Sequence, residues 1–136
     1  MNVEQMMAAH PHAPRNANDA LQRCIEACFS CAQTCTACAD ACLAEAEVSD
    51  LRRCIRLNLD CADLCATIGR CATRGTALNE ALIAEILNLA ALICRMCAEE
   101  CERHALHHEH CRVCAASCRA CADACGEAIR SMRGQA

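Results

Sequence analysis

The chain is 136 residues long, carries a formal net charge of −4 and is 55 % hydrophobic, with Phe29 as its single aromatic residue. That length suits one domain, 1–136, with room for four helices of about 20 to 28 residues. The 13 basic residues are all arginine and interleave with 17 acidic ones, which leaves no basic stripe for nucleic acid.

A core of this size ordinarily contains several aromatic side chains; here the apolar content is largely Ala and Cys. Gly and Pro are scarce, and Ala, Leu, Glu, Gln and Arg dominate the remainder, a helix-forming composition. The expected fold class is all-α. No apolar run approaches the roughly 20 residues of a membrane span. The opening MNVEQMMAAHPHAPR has neither a basic n-region nor an apolar h-region, so a cytoplasmic location is expected. In that reducing compartment, 18 cysteines point to metal binding or redox chemistry rather than to a disulfide scaffold.

Residues 1–17 read as a cap or linker, with a short amphipathic helix at 2–9 using Val3, Met6 and Met7 and ended by the segment His10 to Pro14. Asn16 or Asn18 is the expected N-cap of a long helix at about 18–46. Ser49 and Asp50 start a second helix, about 50–73, stopping near Gly75 in the C′ position. Thr76 is the expected cap of a third helix, about 77–104. A turn at 105–107 precedes the fourth, about 108–132, with Gly134 beyond it. Short connections make neighbours antiparallel, so the architecture is an up-down-up-down four-helix bundle.

The first long helix carries Cys24, Cys28, Cys31, Cys35, Cys38 and Cys42 at spacings of 4, 3, 4, 3, 4. That alternation keeps every sulfur on the stripe that normally takes Leu and Ile into a bundle core. The stripe continues in the second helix through Leu51, Cys54, Asn58, Cys61, Cys65, Ile68 and Ala72. In the third it runs through Glu80, Ile83, Leu87, Ala90, Cys94, Cys97 and Cys101, and onward to His104 and His108. The fourth has Cys111, Cys114, Cys118, Cys121, Cys125, Ile129 and Met132. Only Cys71 falls off a stripe, by one position.

In this topology Cys42, Cys54, Cys101, Cys111 and the histidines share one end. Leu21, Ile25, Ile68, Leu82, Ile83, Ile86, Leu87, Ile129 and Met132 gather at the other as an apolar plug. The expected molecule is a tube lined with thiols and closed at one end.

Cysteine can serve as a small buried hydrophobe, but Ala, Val or Leu would pack as well without the oxidation hazard. Neighbours at i,i+3 and i,i+4 hold their Cβ atoms about 5–6 Å apart, beyond the roughly 3.5–4.5 Å of a disulfide. A dithiol oxidoreductase needs one CxxC in a βαβ context, and the Pro-flanked CxxCxxC run of many Fe–S proteins is missing. Charge separates the remaining metals. Each Zn²⁺ with four thiolates carries −2, so four such sites would bury a charge of about −8. Cu(I) is soft and monovalent, and one ion per thiolate leaves the core neutral. A capacity on the order of 18 Cu(I) follows, and overlapping Cys pairs along each helix argue for capacity rather than catalysis.

The candidate ligands are thus all 18 cysteines, Cys71 included, with His104 and His108 as ligands or entry residues at the thiol-rich end. His107 and His110 are expected on the surface, and His10 and His12 in the linker. Met6, Met7 and Met132 read as core fillers. Asn58 is expected to fix register, although its carbonyl could complete a metal site. A zinc or general soft-metal buffer is the alternative, with a thiol oxidoreductase third.

The runs CxxxCxxCxxxCxxCxxxC at 24–42, CxxCxxxC at 94–101 and CxxCxxxCxxCxxxC at 111–125 resemble the cytosolic copper storage proteins, bacterial four-helix bundles that hold many Cu(I) ions on core cysteines. The resemblance covers nearly the whole chain from about residue 18. It implies copper storage or sequestration without enzymatic activity, and a homotetramer of bundles.

Overall fold

The computed structural model describes residues 1–13 and 18–134. Among the described residues five α-helices follow one another: α1 (Val3–Ala9), α2 (Asp19–Ala44), α3 (Arg52–Thr73), α4 (Glu80–His104) and α5 (Glu109–Met132). There is no strand among the described residues. The last four form the antiparallel bundle, each packing on its successor, and α5 closes the ring against α2.

The helix starts follow side-chain caps. Asn18 accepts the Leu21 N–H at 3.0 Å and begins α2; the alternative, Asn16, lies outside the described residues. Asn79, not Thr76, begins α4 by accepting the Leu82 N–H at 3.0 Å. The segment before it cannot be helical because Ala77 sits at φ 55°, in left-handed backbone that a helix excludes. Ser49 falls within a 3₁₀ turn, Val48–Leu51, and α3 proper starts at Arg52. Helix α3 ends at Thr73 with Arg74 extended, so Gly75 is not the left-handed C′ residue that its identity suggested; the glycine with positive φ is Gly134, at 70°. The turn before α5 falls at 105–107, as expected.

The core is built from small side chains, and helices approach closely where they meet. A Cβ on Gly69 would lie 3.1 Å from the Phe29 ring, so α3 presents bare backbone to the chain's one aromatic residue. Leu21, Ile25, Ile68, Ile83, Leu87 and Ile129 are buried at the end away from His104, His108 and His110. Leu82 was expected among them but is 59 % exposed. It shares with Leu89 and Met96 the seven-residue spacing of the outer face of α4. Helix α4 is long and apolar enough to cross a membrane by length and composition; here its Ile83, Leu87, Cys94, Cys97 and Cys101 stripe is buried in the bundle.

Candidate metal centre

The 4, 3, 4 spacing does what helical geometry dictates. Seventeen of the 18 cysteines are buried, and all 18 are free thiols. Cys71, off the stripe, is partly exposed, and the Arg74 guanidinium donates to its sulfur at 3.3 Å.

The sulfurs form overlapping groups whose atoms lie within 4.8 Å of one another. At the mouth stand Cys38, Cys42, Cys54 and Cys111, and next come Cys35, Cys97, Cys114 and Cys118. Cys31, Cys35, Cys61 and Cys118 follow, then Cys31, Cys65, Cys94 and Cys121, then Cys24, Cys28 and Cys125 near the plug. Cys31, Cys35 and Cys118 each belong to two groups. Shared sulfurs thus join the three middle groups, and the Cys28–Cys121 contact at 3.9 Å connects them to the group near the plug. Asn58, bonded to Cys54, Cys97 and Cys114, ties in the mouth, so the set is a ladder rather than a row of separate cages.

Individual spacings are short, including Cys24–Cys125 at 3.5 Å, Cys65–Cys94 at 3.5 Å and Cys35–Cys118 at 3.6 Å. An ion bridging two sulfurs in line needs them roughly 4.6 Å apart, twice a metal–sulfur bond of roughly 2.3 Å. Small outward shifts of the χ angles meet that requirement, and the donor set is uniformly soft.

Asn58 is fully buried within the ladder. Its carbonyl oxygen accepts from Cys114 at 3.0 Å and Cys97 at 3.1 Å, while its amide donates to Cys54 at 3.5 Å. With Cys101 also donating to that oxygen at 3.7 Å, the side chain is a polar partner for four thiols from α3, α4 and α5. Once those thiols become thiolates the carbonyl loses its donors, so metal loading requires the amide to turn or the oxygen to meet an ion.

Burial and mutual hydrogen bonding control the thiol protons. Cys35 is held well above the ordinary thiol range, first by the bond it shares with Cys114 and then by Cys118, Cys31 and Cys61. Its neighbour Cys31 is shifted the opposite way, below the ordinary thiol value, by its contacts with Cys118, Cys121, Cys35 and Cys61. Burial, followed by repulsion from Cys54, pushes Cys42 up to about 11 from the ordinary value of 9.0.

The metal-free bundle should therefore lose stability in alkali. The unfolded thiol ionises near 9 and the folded Cys42 near 11, so its contribution is complete below the first value and lost as pH rises through the second. The loss is ~1.4 kcal/mol per pH unit for each such thiol. Urea midpoints measured without oxygen at pH 8, 9 and 10 should fall progressively; constant midpoints would contradict a Cys42 thiol held protonated by burial.

Histidines and carboxylates crowd the mouth. His110, expected on the surface, places Nδ1 3.3 Å from Cys38 Sγ and 3.6 Å from Cys111 Sγ. Its Nε2 lies 3.0 Å from the Glu45 carboxylate, which accepts the Nε2 proton and leaves a lone pair on Nδ1 facing the sulfurs. A carboxylate behind an imidazole is the usual support for a metal-binding histidine. Glu45 is held below the usual carboxylate range, first by the His110 hydrogen bond, with His108 adding to it.

His108 also pairs with Glu45 and stacks on His110, ring centroids 5.6 Å apart. His104 is bonded through Nε2 to the buried Glu100 at 3.0 Å, and Arg53 lies on the other oxygen of that carboxylate at 3.3 Å. His104 and His108 therefore stand at the thiol-rich end, as expected, each fixed by a carboxylate. His107 is exposed.

The chain is similar to several known proteins. The Bacillus subtilis (strain 168) protein YhjQ, described as an uncharacterized cysteine-rich protein, is 39 % identical over 104 residues, spanning 76 % of this chain and 91 % of its own length. The cytosolic copper storage protein of Streptomyces lividans with five coppers is 50 % identical, covering 82 % of this chain and 92 % of that one, with a TM-score of 0.80. Loaded with 10 copper equivalents, the Streptomyces protein aligns at 44 % identity over 93 % of this chain and 97 % of its own, with a TM-score of 0.88. The Cu(I)-bound copper storage protein BsCsp3 is 39 % identical over 80 % of this chain and 93 % of its own, with a TM-score of 0.68. A family model described as copper storage protein matches residues 17–130, from the start of the first thiol-bearing helix nearly to the end of the last, so the chain belongs to the copper storage protein family.

Proposed function

We propose that this protein stores or sequesters Cu(I) in the cytoplasm, binding on the order of 18 ions, one per thiolate, with no catalytic role. The observation that carries the reading is the ladder itself: the three middle sulfur groups share Cys31, Cys35 and Cys118, which suits a chain of ions bridged by common sulfurs. No single site in it is distinguished from its neighbours, as an enzyme's would be. Copper ions are the partner this reading requires, and the bundles are proposed to assemble as a homotetramer, in keeping with the family resemblance.

The test is competition. Cu(I) offered to zinc-treated protein should displace the zinc completely and release further protons as it fills the remaining thiols. Zinc that resists stoichiometric Cu(I) would favour a general soft-metal buffer instead.

Within this reading, His104, His108 and His110 act at the entrance. Each imidazole is supported by Glu45 or Glu100, and His110 already touches Cys38 of α2 and Cys111 of α5, to which it can hand an ion. Replacing all three by Ala should slow loading and removal by roughly tenfold, the scale on which supported metal ligands matter. Capacity should change by no more than about three ions, one per imidazole removed. Stopped-flow transfer between the protein and a chromophoric Cu(I) chelator measures both; unchanged rates would remove the entrance role.

A further inference from the structure

The end of the bundle away from His104, His108 and His110 holds a second collection of soft donors. A cavity of about 500 Å³ opens between α1 and the ends of α2, α3 and α5, and Met6, Met7 and Met132 line it together with His10. Three of the five methionines in the chain thus converge on one space from segments 125 residues apart. Helix α1 buries none of its residues, while Met7 and Met132 pack partly buried against the core and Met6 is 64 % exposed. Core filling accounts for Met7 and Met132; it does not account for a short, unburied helix that brings two thioethers to the rim of a cavity.

His10 serves as the tether. Its Nδ1 accepts the His12 N–H at 3.0 Å and its Nε2 lies 3.2 Å from the Thr76 hydroxyl, which ties the end of α1 to the loop before α4. The thioethers remain as donors. Arg70 and Glu80 also line the cavity, and their opposite charges leave no net negative charge for a hard divalent cation. A neutral, thioether-lined cavity favours a soft monovalent ion, and methionine's three rotatable bonds let Met6 turn inward over Met7 and Met132.

We propose that Met6, Met7 and Met132 form a thioether site for one further Cu(I), at the opposite end of the bundle from the thiol mouth. The proposal rests on the Cu(I) storage reading. Three neutral sulfurs leave the bound ion's charge uncompensated, whereas the ladder neutralises each ion with a thiolate. The methionine site is therefore weaker than the ladder, fills after it, and binds without releasing a proton.

The experiment uses the full chain carrying ¹³C-methyl methionine, assigned by single Met-to-Leu substitutions and titrated anaerobically with Cu(I). The expected result is that the Met6, Met7 and Met132 methyl resonances move together in one additional equivalent after the thiols have saturated, while those of Met1 and Met96 stay. In the Met6→Leu, Met7→Leu, Met132→Leu variant that last equivalent should disappear and the thiol capacity remain. Methyl resonances that never move, that move with the first equivalents, or a variant that retains the last ion would each overturn the site. Thiol saturation is read separately from the thiolate-to-copper absorbance of the same samples, so a failure of the storage reading itself, saturation at a few equivalents, is distinguished from a failure of the methionine site.

Discussion

Loading with Cu(I) should raise the unfolding temperature of this protein by at least about 20 °C, and removing the metal should reverse the rise. The metal-free core is mostly Cys and Ala, which bury little apolar area each, and small domains hold only about 5–15 kcal/mol in total. An ion present at a thousandfold excess over its dissociation constant contributes ~4 kcal/mol to the folded state. Four such ions exceed the whole stability of an ordinary domain of this size.

The geometry explains why the gain is global. The group Cys31, Cys65, Cys94 and Cys121 takes one sulfur from each of the four long helices, so ions placed there tie α2, α3, α4 and α5 together. Since 1 kcal/mol moves the midpoint of a chain of this length by several degrees, a shift of a few degrees on full loading would contradict ions bound in the core. Calorimetry of metal-free, half-loaded and loaded protein under nitrogen checks it.

The thiol stripe could be read from the sequence because a helix converts spacing into direction: 4, 3, 4, 3, 4 fixes six sulfurs on one face whatever surrounds them. Cys71 breaks that spacing by one residue, and the structure turns it out of the core accordingly. Helix starts were less legible, because a cap depends on the backbone of the loop before it. Thr76 and Asn79 are both capping residues, and the left-handed backbone at Ala77 decides for Asn79.

His110 was missed for a related reason. The stripe of the third helix runs through His104 to His108, but the turn at 105–107 resets the helical phase. Counting back four residues from Cys114 in the register of α5 lands on His110, and that was the available signal. Its partner Glu45 lies past the end of α2, where periodicity carries no information. The methionine cavity was invisible for the same reason, since nothing in the spacing of Met6 and Met7 places them beside Met132.

Substituting Cys31, Cys35 and Cys118 together by Ser should remove about three Cu(I) from the total, one for each thiolate lost. These are the residues each shared by two neighbouring sulfur groups, which makes the variant a sharp test of how the ions are held. If each group were an independent four-sulfur cage, the same three substitutions would break three of the four complete cages named above and leave little capacity in the middle of the tube. If the sulfurs form a continuous ladder in which every ion needs only two of them, neighbours such as Cys61, Cys94 and Cys121 re-pair around the gaps. A proportionate loss supports the ladder; collapse of most of the capacity supports cages. Circular dichroism of the variant confirms that the helices survive, as a sulfur-to-oxygen change at three positions adds no bulk.

The central claim is tested most directly by titrating the fully reduced wild-type protein with Cu(I) in the presence of a chromophoric chelator and counting the ions it withholds. One ion per thiolate predicts a plateau on the order of 18 equivalents; a plateau near four would contradict the account and replace the ladder with discrete sites.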